Sequence, residues 1–177
     1  MPRPPRVALV ALGPLPKDLL AAAGHELERV FQVPIATLAP QGRPDYSRNE
    51  SRSQYHSTAI LRRLAHSVTG GVPVIGLTDV DLFVPDAPFV FGEADRDAHA
   101  AVVSAARLRH GPEGKEVDPE QLRRRVLVET VHELGHLLGL SHCADQRCAM
   151  FLSHRPSDAD RKGPGLCGAC RAALGLP

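Results

Sequence analysis

Val7–Leu12 sets six apolar residues in a row, as expected of a strand buried on both faces, and Arg6–Leu12 reads as the first strand. A helical period takes over in Pro16–Phe31, which predicts an amphipathic helix. Val33–Leu38 is a second strand, followed by a loop rich in proline, glycine and arginine through Asn49. Ser53–Ser67 predicts a second helix with Ile60, Leu61 and Leu64 on its apolar face. Val72–Leu77, Phe89–Ala94 and Ala101–Leu108 read as further strands, and Gly111–Val117 as a polar loop. Asp118-Pro119-Glu120-Gln121 then supplies an N-cap, a proline at the first helical position, an acid in the first turn and glutamine at the third. The helix it starts runs to Leu138. Leu127, Val131, Leu134 and Leu138 form one stripe, nearly opposite His132 and His136, so one face packs on a core and the other faces a cleft. Strand and helix alternate early, which implies an α/β (α+β) fold with a mixed sheet. Length favours a single domain over residues 1–177, with an upper part to about 139 and a small irregular part from about 140.

The cleft-facing residues carry the chemistry. His132-Glu133-Leu134-Gly135-His136-Leu137-Leu138-Gly139-Leu140-Ser141-His142 has the form H-E-x-x-H-x-x-G-x-x-H. Histidines four apart lie about 40° from each other around a helix, so His132 and His136 reach one ion. A continued helix cannot bring His142 to it, and Gly139 supplies the turn, since glycine enters the left-handed conformation without a Cβ penalty. Three neutral imidazoles then hold Zn²⁺ with a fourth position open to water, and Glu133 sits beside that water without being a ligand.

All four cysteines follow: Cys143, Cys148, Cys167 and Cys170. Two pairs across a short loop suit a closed, structural tetrahedral zinc site, giving two zinc ions per chain. Two disulfides of a secreted protein and a redox C-x-x-C are the alternatives, and compartment bears on them. Met1–Arg6 is basic and Val7–Leu12 apolar, as in a leader, but Gly13-Pro14 and Pro16-Lys17-Asp18 end the apolar run too early. A cytoplasmic chain with reduced thiols is expected. No apolar run approaches a membrane span, and a net charge of +1 with five phenylalanines and two tyrosines gives little for nucleic acid to bind. Arg123–Arg125 accordingly reads as a solvated helix face, Asp79 and Asp81 as turn groups. His25, His56, His66, His99, His110 and His154 lack ligand spacing and default to surface or core positions.

The long motif is similar to that of the metzincin zinc peptidases, with Met150 the one methionine downstream that can form the turn those enzymes place beneath the metal. Cys143 directly after the third histidine, then Cys148, Met150 and Cys167-x-x-Cys170, resembles the archaemetzincins in particular. Arg52-x-Gln54-Tyr55, Leu77–Leu82, Phe89–Ala94, Val103-Ser104 and Arg107-Leu108 share the likeness, which covers most of the chain beyond about Tyr46. Two departures stand out: the sixteen residues between Met150 and Cys167 are about one fewer than that family's spacing, and no tyrosine follows the methionine closely. The resemblance implies a metzincin-like fold, with a twisted mixed sheet and active-site helix above and a zinc-pinned lobe below. It also implies a zinc-dependent peptide hydrolase, expected as a monomer. Water on the zinc, activated by Glu133, attacks the peptide carbonyl. A peptide substrate lies along an exposed strand edge, for which Phe89, Val90, Phe91 and Gly92 are the candidates. A glutamate-ligated zinc enzyme finds no glutamate after Glu133; a zinc-held binding protein would not need Glu133; a cysteine-built nucleic-acid module lacks basic and aromatic surface.

Overall fold

A computed structural model describes residue 4, residues 6–16 and residues 18–177. Residues Met1–Arg3, weighed above as the start of a leader, lie outside the described residues, as do Pro5 and the Lys17 of the first expected helix. Five strands form the larger sheet in the spatial order β2 (Ile35–Thr37), β1 (Val7–Leu12), β5 (Val74–Thr78), β9 (Ala100–Ser104) and β8 (Gly92–Asp95). All pairings are parallel except that of β8 with β9, so the sheet is mixed. Because side chains alternate across a strand, β1, β5 and β9 feed two cores. Val7, Leu9, Ile75, Leu77 and Val103 pack with α1 (Leu19–Phe31) and α3 (Pro119–Leu137). Ala8, Val10, Leu12, Val74 and Val102 pack with α2 (Ser57–Ala65), through Ile60, Leu61 and Leu64. A smaller sheet, not foreseen, runs β3 (Arg48–Asn49), β4 (Gln54–His56), β6 (Leu82–Val84), β7 (Ala87–Val90). Among the described residues no helix is long and apolar enough to cross a membrane.

α3 begins as expected, with the Asp118 carboxylate accepting from Gln121 N at 2.9 Å and Pro119 in the first turn. The amphipathic reading of this helix is too simple. From Arg125 to Gly135 it is enclosed on nearly every side, because α1, β8, β9 and the segment around residues 156–161 all pack on it.

Four other expectations need correction. Ser53–Ser67 is a helix only from Ser57, since Gln54–His56 is taken into the second sheet beside β6. Ala101–Leu108 ends as a strand at Ser104, whose hydroxyl accepts from Ala106 N at 3.0 Å and turns the chain. The region after Gly139 holds two short helices, α4 (Pro156–Arg161) and α5 (Gly168–Ala173). Pro156 and Asp158 start the former, the Asp158 carboxylate accepting from the N–H groups of His154 and Arg155 at 2.9 and 3.1 Å. Finally, Phe89–Ala94 is not one strand. Phe91 turns its ring into the core, 6% exposed, so Ala87–Val90 closes the small sheet and Gly92–Asp95 the large one.

Candidate metal centre

His132 and His136 stand one helical turn apart in α3, and Gly139 brings the chain back to them. Gly139 has φ +102°, a conformation in which a Cβ would be strained. The turn places Leu140 N 2.9 Å from Gly135 O and returns the Leu140 carbonyl to His136 Nδ1 at 2.8 Å. His132 Nδ1 meets a different carbonyl, Ala149 O, also at 2.8 Å. Nδ1 therefore carries the proton in both rings, and both Nε2 atoms are left as acceptors. These face each other at 3.0 Å, with the His142 ring completing the group at centroid distances of 5.3 and 4.9 Å. Ligand nitrogens of all three lie within 4.8 Å of one another. Two lone pairs aimed at each other repel, and a cation between them resolves the arrangement. A tetrahedral zinc with bonds of about 2.05 Å has nitrogen–nitrogen edges near 3.3 Å, so the donor set fits. Burial pushes the His132 imidazole down to about 3 and lowers His142 too, holding both in the neutral state that a ligand requires.

Glu133 is 5% exposed, borders the same cavity as His132 and lies against β8 at Gly92. At Gly92 a Cβ would come within 2.7 Å of Glu133 Oε1, so a side chain there would displace the carboxylate. Burial, then the nearby Glu129 and Glu93 carboxylates, push the Glu133 carboxyl well above its usual range, with Lys162 opposing. A carboxylate so placed takes up a proton more readily than one in water.

Two cavities flank the histidines. One of about 370 Å³ is bounded by Phe89, Val90, Phe91 and Gly92 on one side and His132 and Glu133 on another. The other, about 420 Å³, touches His136 and His142 together with Arg96 and Gly139. His132 borders the first, and His136 and His142 the second, so the cavities open on either side of the histidine cluster. All four expected edge residues line the first cavity, Phe89 and Val90 from the small sheet, Gly92 from the large one and Phe91 from the break between them.

The four thiols also gather, with Cys143 Sγ 3.7 Å from Cys167 Sγ and Cys148 Sγ 3.8 Å from Cys170 Sγ. All are free, and these separations are far beyond the roughly 2.05 Å of a disulfide. They match the edge of about 3.8 Å expected for a tetrahedron with zinc–sulfur bonds near 2.3 Å. Hydrogen bonds, first from the Cys170 backbone, lower the Cys167 thiol to about 7, while burial pushes the Cys148 and Cys170 thiols up. Met150 lies between the two clusters, 0% exposed. Its Sδ would stand 2.3 Å from a Cβ at position 135, so Gly135 leaves the room the methionine fills.

Asp79 and Asp81 join neither cluster. Asp79 pairs with Arg43 at 2.8 Å, and Asp81 takes both Arg107 Nε and Nη2, at 2.6 and 2.8 Å. Arg125, read as solvated with its neighbours, is 1% exposed and bound to Asp160 through two hydrogen bonds of 2.8 and 2.6 Å. Of the six histidines outside the motif, His154 lines the first cavity, with Leu152, Ser153 and Glu129. Nothing in their spacing marks these residues; Glu129 stands on α3 one turn before Glu133, and Leu152, Ser153 and His154 reach the cavity because the segment after Met150 folds back along that helix.

Sequence and structure comparisons agree on one relationship. The family model described as "Peptidase family M54" matches residues 50–175. The archaemetzincin of Methanocaldococcus jannaschii is 41% identical over 169 residues, spanning 96% of this chain and 92% of that protein. The crystal structure of archaemetzincin from Methanopyrus kandleri superposes with a TM-score of 0.82 at 32% identity, covering 98% of this chain and 96% of that one. A zinc-dependent peptidase from Methanocorpusculum labreanum gives 0.83 at 28% identity, covering 95% and 99%.

Proposed function

This chain belongs to peptidase family M54, the archaemetzincins, and is a zinc metallopeptidase; we propose that His132, His136 and His142 hold its catalytic zinc and that Glu133 is its general base. The facing Nε2 atoms, each fixed by a carbonyl on its ring's far side, carry this reading. Zinc in that position supplies a Lewis acid for the scissile carbonyl and lowers the pKa of water. Glu133 takes the proton of the attacking water and delivers it to the leaving amine nitrogen. Its enclosure by Gly92 keeps the carboxylate aimed and poorly hydrated. The substrate is a peptide or protein, which lies extended across the two cavities beside the histidines with its backbone along β8, an edge strand of the larger sheet. Side chains on the Glu133 side enter the cavity under Phe89, Phe91 and Leu152.

Cys143, Cys148, Cys167 and Cys170 hold a second, structural zinc, supported by thiol separations that suit a tetrahedron and not disulfides. Residues 1–177 act as one peptidase domain, the upper part to about 139 carrying the sheet and α3, and the lower part from about 140 carrying Met150 and the thiols. Four free thiols suit a reducing, cytoplasmic setting, and the protein is read as a monomer. The test is zinc content with cleavage of a broad peptide library. Two equivalents are expected, one removed by mild chelation together with all hydrolysis. A single equivalent in freshly purified protein, or hydrolysis that survives chelation, would overturn the assignment.

A further inference from the structure

Ala149 O, the carbonyl that holds His132, has a second donor. Lys162 approaches it from the loop between α4 and the last two cysteines, and its side chain is 0% exposed. Nζ lies 3.1 Å from Ala149 O, 2.7 Å from Phe151 O and 3.3 Å from Glu129 Oε1. Glu129 stands one turn before Glu133 on α3 and also accepts from Ser153 Oγ at 2.7 Å. One ammonium thus binds the carbonyls on both sides of Met150 and joins them to the helix that bears the ligands.

Burying a lysine and a glutamate is costly, and two apolar side chains of similar volume would hold these layers together at less cost. What apolar packing cannot supply is direction. One ammonium fixes two carbonyls by hydrogen bonds and a carboxylate by charge, and one of those carbonyl oxygens is the atom that sets the tautomer and tilt of a ligand ring. The other two lead to the cleft wall, through Phe151 and through Glu129 to Ser153.

We propose that Lys162 is a positioning residue of the metal centre: it holds the Ala149 carbonyl that orients His132, and through Glu129 and Ser153 it fixes the wall of the adjoining cavity. This rests on the reading that the three histidines hold zinc. His136 provides an internal control, because its carbonyl partner, Leu140 O, is placed by the turn at Gly139.

Lys162→Met alone abandons a buried carboxylate and can prevent folding. The paired variant Lys162→Met/Glu129→Gln removes both charges, while the glutamine oxygen still accepts from Ser153. Zinc affinity at the histidine site is measured by competition with a chromophoric chelator, and the imidazole Nδ1–H resonances are followed in zinc-loaded, ¹⁵N-labelled protein. Affinity is expected to fall about 10- to 100-fold, the usual effect of losing a group that orients a ligand. The His132 resonance shifts or broadens and that of His136 stays. Wild-type affinity with an unmoved His132 resonance would show that Lys162 only neutralises Glu129, and the proposal would fall. A wild-type chain whose His132 and His136 resonances ignore zinc would instead overturn the metal assignment on which it stands.

Discussion

Replacing Arg125 by methionine should cost the fold about 4 kcal/mol, although the residue touches neither metal cluster. Its guanidinium is 1% exposed and makes four hydrogen bonds: two to the Asp160 carboxylate, and two from Nη1 to Leu108 O and His110 O at 2.8 and 3.0 Å. Breaking a buried ion pair from one side costs about 3–5 kcal/mol. Asp160 keeps 30% of its side chain exposed and can recover water, which places its share near the lower limit of about 3 kcal/mol. The two abandoned carbonyls add about 1 kcal/mol more. For a chain of this length the sum lowers the melting temperature by about 8–16 °C. Circular dichroism melts in excess zinc measure it. The reverse change, Asp160→Ala, should be at least as damaging, because the guanidinium it strands is fully enclosed. Acid provides a second check. The Arg125 hydrogen bonds hold the Asp160 carboxyl below its ordinary 3.8. A depressed folded value gives stability that is present above the unfolded pKa and lost as pH falls through the folded one. The gap between wild type and Arg125→Met should therefore narrow below about pH 4. A loss under about 1 kcal/mol, or a gap independent of pH, would refute the reasoning.

Glu133→Gln should keep zinc at the histidines while turnover falls about 10²–10⁴-fold, whereas His136→Ala should lose the zinc itself; metal analysis beside peptide hydrolysis separates them. Cys167→Ser and Cys170→Ser should lower the melting temperature and leave one zinc equivalent, and an unchanged melt would show that the C-terminal segment folds without the thiols. Gly135→Ala drives a methyl group into Met150 and should destabilise by about 1–3 kcal/mol, less any gain in helix propensity. Adding Met150→Ala should restore part of that loss, and strict additivity in urea titrations would mean the two side chains do not share the space.

What the sequence disclosed is what short-range chemistry encodes. His132, Glu133, His136 and His142 lie within eleven residues, so helix geometry and one glycine suffice to bring them together. The cysteines announce themselves because thiols in two spaced pairs have few other uses. β1, β5 and α3 follow from runs long enough to show a period. Arg125, Glu129 and Lys162 were missed for the opposite reason. Each is one charged residue among many, and its oppositely charged partner lies at least 33 positions away, as with Lys162 and Glu129. The division at Phe91 was also hidden: Gly92 follows it, but a lone glycine in an apolar run does not say that the ring before it turns into the core and that the chain changes sheets there. α4 was legible and overlooked: Pro156 and Asp158 are ordinary helix-start residues.

The hydrogen bond from His132 to Ala149 bears on how the protein is born. Ala149 is itself held by Gly165, whose carbonyl accepts its N–H at 2.9 Å, and by Lys162, all of them well beyond the motif. During synthesis the large sheet and α3 can assemble while these residues have yet to be made. A nascent or prematurely terminated chain would thus display the whole histidine motif with the first ring unoriented.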